Sequence, residues 1–107
     1  MTMSNAAIEV IRVQIEKIPD FATYLHPDVR RLREIDNKSG SQYAYTLFQY
    51  LVCGGNFTDA ANKLKLHRNT LIYRIDRIRE TINSDLDNVL DREFLLLSFL
   101  FSGTSDI

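Results

Sequence analysis

The chain has no tryptophan, one cysteine, two prolines and four glycines. A single thiol, Cys53, cannot close an internal disulfide, which excludes a small secreted module built on disulfides. Its setting, Leu51-Val52-Cys53-Gly54, reads as the buried end of a helix, and no histidine or charge nearby would activate it. The only histidines are His26 and His67, far apart in the chain and without a cysteine pair. That spacing argues against zinc, and no metal or cofactor is expected. The longest apolar run, FLLLSFLF at 94–101, falls far short of the roughly 20 residues that span a bilayer. The first 17 residues place acids among the apolar positions, which is unlike a signal peptide, so the cytoplasm is the expected compartment and no membrane partner is expected. Nor is there an excess of charge. Thirteen Lys and Arg against 14 Asp and Glu give a net of -1, which excludes a uniformly basic nucleic-acid coat but not a local basic patch.

What remains is a chain of 107 residues, the size of one domain with one core. Its 45% apolar and 25% charged residues are those of a folded protein. No segment alternates at period two for long enough to make a strand, and the apolar residues recur at helical spacing. Ile8, Ile11, Ile15 and Ile18 share one stripe, with Ser4 or Asn5 as cap and Pro19 as stop. Pro27 opens a second helix with Val29, Leu32 and Ile35 inward, and Asn37-Lys38-Ser39-Gly40 reads as a turn. Ser41 caps a third helix with Ala44, Leu47, Phe48 and Leu51 inward, ended by Gly54-Gly55. Asn56 or Thr58 starts a short fourth. Residues 66–82 form the fifth, and Asp87 or Asn88 caps a last helix. The tyrosines Tyr24, Tyr43, Tyr45 and Tyr50 read as packing residues at helical spacing. The fold class is all-α, a small helical bundle.

The fifth helix carries the chemistry. Leu71, Ile75, Ile78 and Ile82 form one narrow inward stripe, and Asn69, Tyr73, Asp76 and Glu80 face away from it. Six cations (Lys63, Lys65, Arg68, Arg74, Arg77, Arg79) and one acid (Asp76) between residues 63 and 79 leave a net of +5 in a chain of net -1. Charge is therefore segregated. Before this helix, Ala60-Ala61 is small enough for a close crossing, and Leu66 and Leu71 can plug the space between the two helices. A short helix, a tight turn and a polar-faced helix make the pattern of helix-turn-helix DNA binding. Arginine binds guanine in bidentate fashion, asparagine binds adenine, and an apolar side chain touches the thymine methyl. Arg68, Asn69 and Ile72 suit those roles. Lys63, Thr70, Tyr73, Arg74 and Arg77 suit phosphate contacts, and His67 suits a helix cap or another phosphate contact. The competing explanation for such a helix is a solvated charged face.

The run HRNTLIYRIDRI resembles the C-terminal helix-turn-helix domain of PucR-type regulators, the purine-catabolism and sugar-diacid regulator family. HPDVRRLREIDNKSG looks like the family's lead-in helix, and SDLDNVLDREFLLLSFLF like its closing loop and apolar helix. The likeness covers about residues 20–101, and that fold is similar to the Fis-type DNA-binding domain. The resemblance implies a transcription factor that binds duplex DNA as an oligomer. By position, His67, Arg68, Asn69, Thr70, Tyr73 and Arg74 match the recognition-helix motif. Lys65 departs from the pattern, standing where many such turns carry glycine. In that family a ligand-sensing region precedes this domain, so the expected organisation is an N-terminal helix at 1–19, as a remnant or dimerisation segment, and the DNA-binding domain at 20–107.

The last helix is apolar on every side after Phe94 apart from Ser98, and a domain this small cannot bury all of it. A homodimer through Phe94, Leu97, Leu100 and Phe101 is the expected cover. The main reading is a sequence-specific DNA-binding regulator with recognition helix about 68–82 and no catalysis. The alternative is a helical dimerisation or protein-interaction module that does not bind DNA. The two differ in whether the arginines are held in ion pairs with Asp76, Glu80 and the acids of 85–93.

Overall fold

Six helices follow one another in the computed structural model, which describes residues 5–20 and 25–102. They are α1 (Asn5–Glu16), α2 (Pro27–Ser39), α3 (Tyr43–Val52), α4 (Phe57–Leu64), α5 (Arg68–Thr81) and α6 (Val89–Phe101). The described residues contain no strand, and the all-α class read from periodicity is the one observed. Ser4 and Tyr24 lie outside the described residues, as does the side chain of Asn5.

Side chains set most helix ends. His26 caps α2, its Nδ1 accepting from Asp28 N at 3.1 Å, and Pro27 follows at the first helical position, where its missing N–H costs nothing. Asn56 caps α4 through Asp59 N (2.9 Å), and Asn88 caps α6 through Asp91 N (3.0 Å). Two ends differ from the sequence reading. The Asn37-Lys38-Ser39-Gly40 stretch is helical up to Ser39, because only Gly40 takes the left-handed conformation (φ 74°) that lets its N–H close on Asp36 O. Ser41 does not cap α3 either. Helix α3 starts at Tyr43, and Asp36 reaches across from α2 to accept from Tyr43 N and Ala44 N, both at 2.9 Å. Ser41 Oγ donates to that same carboxylate. A carboxylate at a helix N-terminus satisfies orphan amides and favours the helix dipole.

Helix α3 is the central element and packs against α2, α4, α5 and α6. Leu32, Leu47, Leu71, Ile75, Ile78, Leu95 and Phe99 are completely buried around it. Each contributes about 1.5–3 kcal/mol by leaving water. Gly54 (φ 66°) ends α3, with its N–H on Leu51 O and the next N–H, of Gly55, on Tyr50 O. Cys53, at that terminus, is half-buried. Tyr50 is a packing residue and Tyr43 packs partly against the core, but Tyr45 is exposed.

Helix α1 lies against α6 and ends at Glu16, three residues before Pro19. Ile8 and Ile15 are half-buried, whereas Ile11 and Ile18 are exposed. One neighbouring helix cannot cover the whole isoleucine stripe. The last helix likewise buries one face only. Leu95, Ser98 and Phe99 are inside, while Leu90, Phe94 and Leu97 are exposed to solvent.

A buried carboxylate ties the far ends of the bundle together. Asp28 has no exposed surface, and its Oδ2 accepts from Asn83 N (3.1 Å), Ser84 N (3.0 Å) and Ser84 Oγ (2.7 Å). His26 Nδ1 is an acceptor here, so its proton is on Nε2, which donates to Ser84 Oγ at 2.7 Å. His26 N in turn donates to Ser98 Oγ (2.9 Å) on α6. The start of α2, the segment that leaves α5 and the middle of α6 thus share one hydrogen-bond network. Asp28→Ala would remove the acceptor of three hydrogen bonds, from Asn83 N, Ser84 N and Ser84 Oγ, each contributing about 1 kcal/mol. The expected result is a loss of about 3 kcal/mol in urea unfolding, with Ser98→Ala costing less.

Candidate nucleic-acid interface

The turn between α4 and α5 is three residues, Lys65-Leu66-His67. Lys65 N donates to Asn62 O (3.2 Å) and Leu66 N to Ala61 O (2.9 Å). These are the two reversed bonds of a helix terminus that turns through one left-handed residue. That residue is Lys65, at φ 59° and ψ 44°. The glycine that many helix-turn-helix turns carry at this place therefore has a conformational reason, and lysine holds the turn at a cost of about 1–2 kcal/mol. Half-buried Leu66 and fully buried Leu71 close the space between the helices, and Ala60 and Ala61 are buried at the crossing.

Helix α5 has the faces read from its sequence. Leu71, Ile75, Ile78 and Ile82 are buried, and Asn69, Tyr73, Asp76 and Glu80 are exposed. His67 occupies the N-cap position but makes no side-chain capping bond, so its imidazole is free at the exposed start of the helix. Arg68, Asn69 and Thr70 are exposed in the first turn, together with Lys63 on α4 and Arg77 further along. Arg74 is half-buried at the edge of the inward stripe. Ile72, read as an exposed thymine contact, is half-buried as well, since its position borders the buried stripe. Its reach to a base is correspondingly shorter.

The charge partners decide between a DNA face and a self-satisfied surface. Arg79 alone of the six cations is in an ion pair among the described residues, with Asp87 at 3.2 Å. Lys63, Lys65, Arg68, Arg74 and Arg77 pair with no carboxylate there. Two of them are positioned instead by aromatic residues that the sequence reading did not assign to the site. The Arg68 guanidinium lies 5.8 Å from the centre of the Phe57 ring, at the start of α4, and Phe57 rests on Tyr50 at 5.1 Å. A ring face attracts the cation without neutralising it. Tyr43, first residue of α3, engages Arg77, and with Tyr73 and Glu80 it raises the pKa of that guanidinium above its ordinary value. Phe57 follows an Asn cap and sits eleven residues before Arg68, so no local spacing advertises the contact.

Among the described residues, no group of three His, Cys, Asp or Glu comes together that could hold a metal ion, and no helix is long and apolar enough to cross a membrane. The arrangement is that of a helix-turn-helix with a cationic, donor-rich outer face. The comparison with known families agrees. Residues 43–100, more than half of the chain, match the PucR C-terminal helix-turn-helix domain. The chain belongs to this family. It is also similar to the proline-responsive transcriptional activator PutR of Bacillus subtilis (strain 168), at 34% identity over 86 residues. Those residues are 80% of this chain and 21% of that protein, so the chain spans about a fifth of its relative's length. No solved structure matches the chain. A PucR-type helix-turn-helix is a DNA-binding domain of transcription regulation, the class that the outer face of α5 indicated.

The turn offers a direct test. Lys65→Gly relieves left-handed strain but gains unfolded-state entropy, for an expected net stabilisation of about 0.5 kcal/mol in thermal unfolding. Lys65→Val, β-branched at positive φ, should destabilise by about 1–2 kcal/mol. Equal stability of the two variants would show that the turn tolerates either backbone conformation.

Proposed function

We propose that this domain binds duplex DNA sequence-specifically by placing the start of α5, within residues 68–82, in the major groove. The observation that carries the reading is the set of five cations from Lys63 to Arg77 that form no ion pair with a carboxylate among the described residues. Pairing of these cations with the protein's own acids would instead have favoured the alternative of an interaction module that does not bind DNA. Arg68 and Asn69 are the base-reading residues, with Ile72 as a secondary apolar contact from its half-buried position. His67, Thr70, Tyr73, Arg74, Arg77 and Lys63 hold phosphates. Affinity comes mainly from those phosphates, through release of condensed counterions.

The domain works as a homodimer in this reading. Leu90, Phe94, Leu97 and Phe101 recur at spacings of four, three and four along α6, the pattern of a helix seam. Phe94 and Leu97 are exposed there, with Leu100 and Phe101 half-buried beside them. Exposed Val10 and Val13 on α1, which packs on α6, extend the apolar surface, so the 1–19 segment belongs to dimerisation and 20–107 to the DNA-binding domain. Two copies related by a two-fold axis would read two half-sites. A sensory region elsewhere in a longer regulator would fit the family's organisation, and DNA as ligand puts the protein in the cytoplasm.

Arg68→Ala and Asn69→Ala should each relax preference at one base position by about 1–3 kcal/mol while melting like the wild type. Selection of duplexes from a randomised pool reads this out, and an unchanged preference in both variants would place base reading elsewhere. Sedimentation at high concentration should show a dimer that Leu97→Asp converts to monomer. A wild type that stays monomeric would remove the α6 seam from the reading.

A further inference from the structure

A second group of cations lies outside the helix-turn-helix. Pro27, Arg30, Arg31, Glu34, Ile35 and Lys38 recur at spacings of three and four, so they share one face of α2. They line an open cleft of about 320 Å³. Three cations face one carboxylate. Glu34 is placed four residues from both Arg30 and Lys38, yet it forms no ion pair with either among the described residues. The cations are thus available to an outside anion. The cleft is open and rimmed by charged side chains, unlike the enclosed sites that take small organic ligands.

One contact connects this face to α5. Arg31 Nη1 donates to Thr81 O (3.2 Å), in the last turn of α5. The outer face of α2 therefore meets the last turn of α5, the helix whose exposed line is Asn69, Tyr73 and Arg77. Twelve residues separate Asn69 from Thr81, about 18 Å at 1.5 Å per residue. That length corresponds to about five base pairs of duplex at 3.4 Å each.

We propose that the outer face of α2 is a second DNA contact, gripping the phosphate backbone that flanks the base-reading half-site. The proposal rests on the DNA-binding reading above and adds to it a contact that carries affinity but no base information. Continuity with the α5 face and excess positive charge select a polyanion that extends past α5, which the flanking backbone of the same duplex supplies.

The test is a salt titration with the double variant Arg30→Gln, Lys38→Gln. Both residues are exposed and make no side-chain hydrogen bond among the described residues, whereas Arg31 is left in place for its bond to Thr81. The duplexes would be about 30 and about 12 base pairs long, drawn from a sequence the wild type selects. On the long duplex the slope of log affinity against log salt should fall by roughly 1.8, at about 0.9 per lost contact. Affinity near 0.1 M salt should then drop tens-fold, with base preference unchanged. On the short duplex, variant and wild type should bind alike. A wild-type slope for the variant on the long duplex overturns the proposal, as does an equal loss on both lengths. If the double variant melts early, Lys38→Gln alone should still lower the slope by roughly 0.9. A wild type that binds neither duplex overturns the DNA-binding reading itself, and this proposal with it.

Discussion

The placement of α5 is the constraint on which the molecule depends, and backbone bonds at its two ends set it. At the start, Lys65 takes a left-handed conformation so that two amides can turn back onto α4. At the end, the amides of Asn83 and Ser84 terminate on the buried carboxylate of Asp28. Between these points Leu71, Ile75 and Ile78 only have to fill the core. Packing alone would tolerate small rotations of a helix with one narrow apolar stripe. Directional bonds at both ends do not, and they hold the outer face of α5 at one angle.

The helices were legible in the sequence because one physical rule wrote them. Burial at period 3.6 marks α2, α3 and α5, and short polar caps mark α4 and α6. What escaped the sequence was every contact that joins positions far apart. Asp36 replaces Ser41 as the cap of α3 because the turn at Gly40 brings the end of α2 beside the start of α3. Asp28 looks like an ordinary first-turn acid, and only the fold delivers the loop 55 residues away to it. In the site, the exposure of Arg68, Asn69 and Thr70 followed from helix phase. Phe57 beneath Arg68 and Tyr43 beside Arg77 did not, since each depends on how α3, α4 and α5 cross.

Charge in this protein is arranged by function of the surface rather than by the stability of the fold. A chain of net -1 holds +5 between residues 63 and 79 and compensates with acids at Asp85, Asp87, Asp91 and Glu93. Of those four, Asp87 meets Arg79, and Asp91, in the first turn of α6, accepts the Asp85 amide. The acids therefore balance the total without reaching the α4–α5 turn. A field of one sign then remains over that turn, which favours encounter with a polyanion and weakens with salt.

The two ways of placing arginine show what the surface is prepared for. An exposed ion pair contributes little to stability and removes a charge that a phosphate could use. An aromatic ring under the guanidinium restrains the side chain while leaving its charge and its in-plane donors available. Arg68 has that arrangement, and Arg79, at the other end of the same helix, has the ion pair. The contrast along one helix leaves the cationic donors at the end next to the α4–α5 turn. The first turn keeps its donors open, and in the last turn Arg79 pairs with Asp87 of the acidic loop. An arginine-rich helix that served only solubility would have no reason to distinguish its ends in this way.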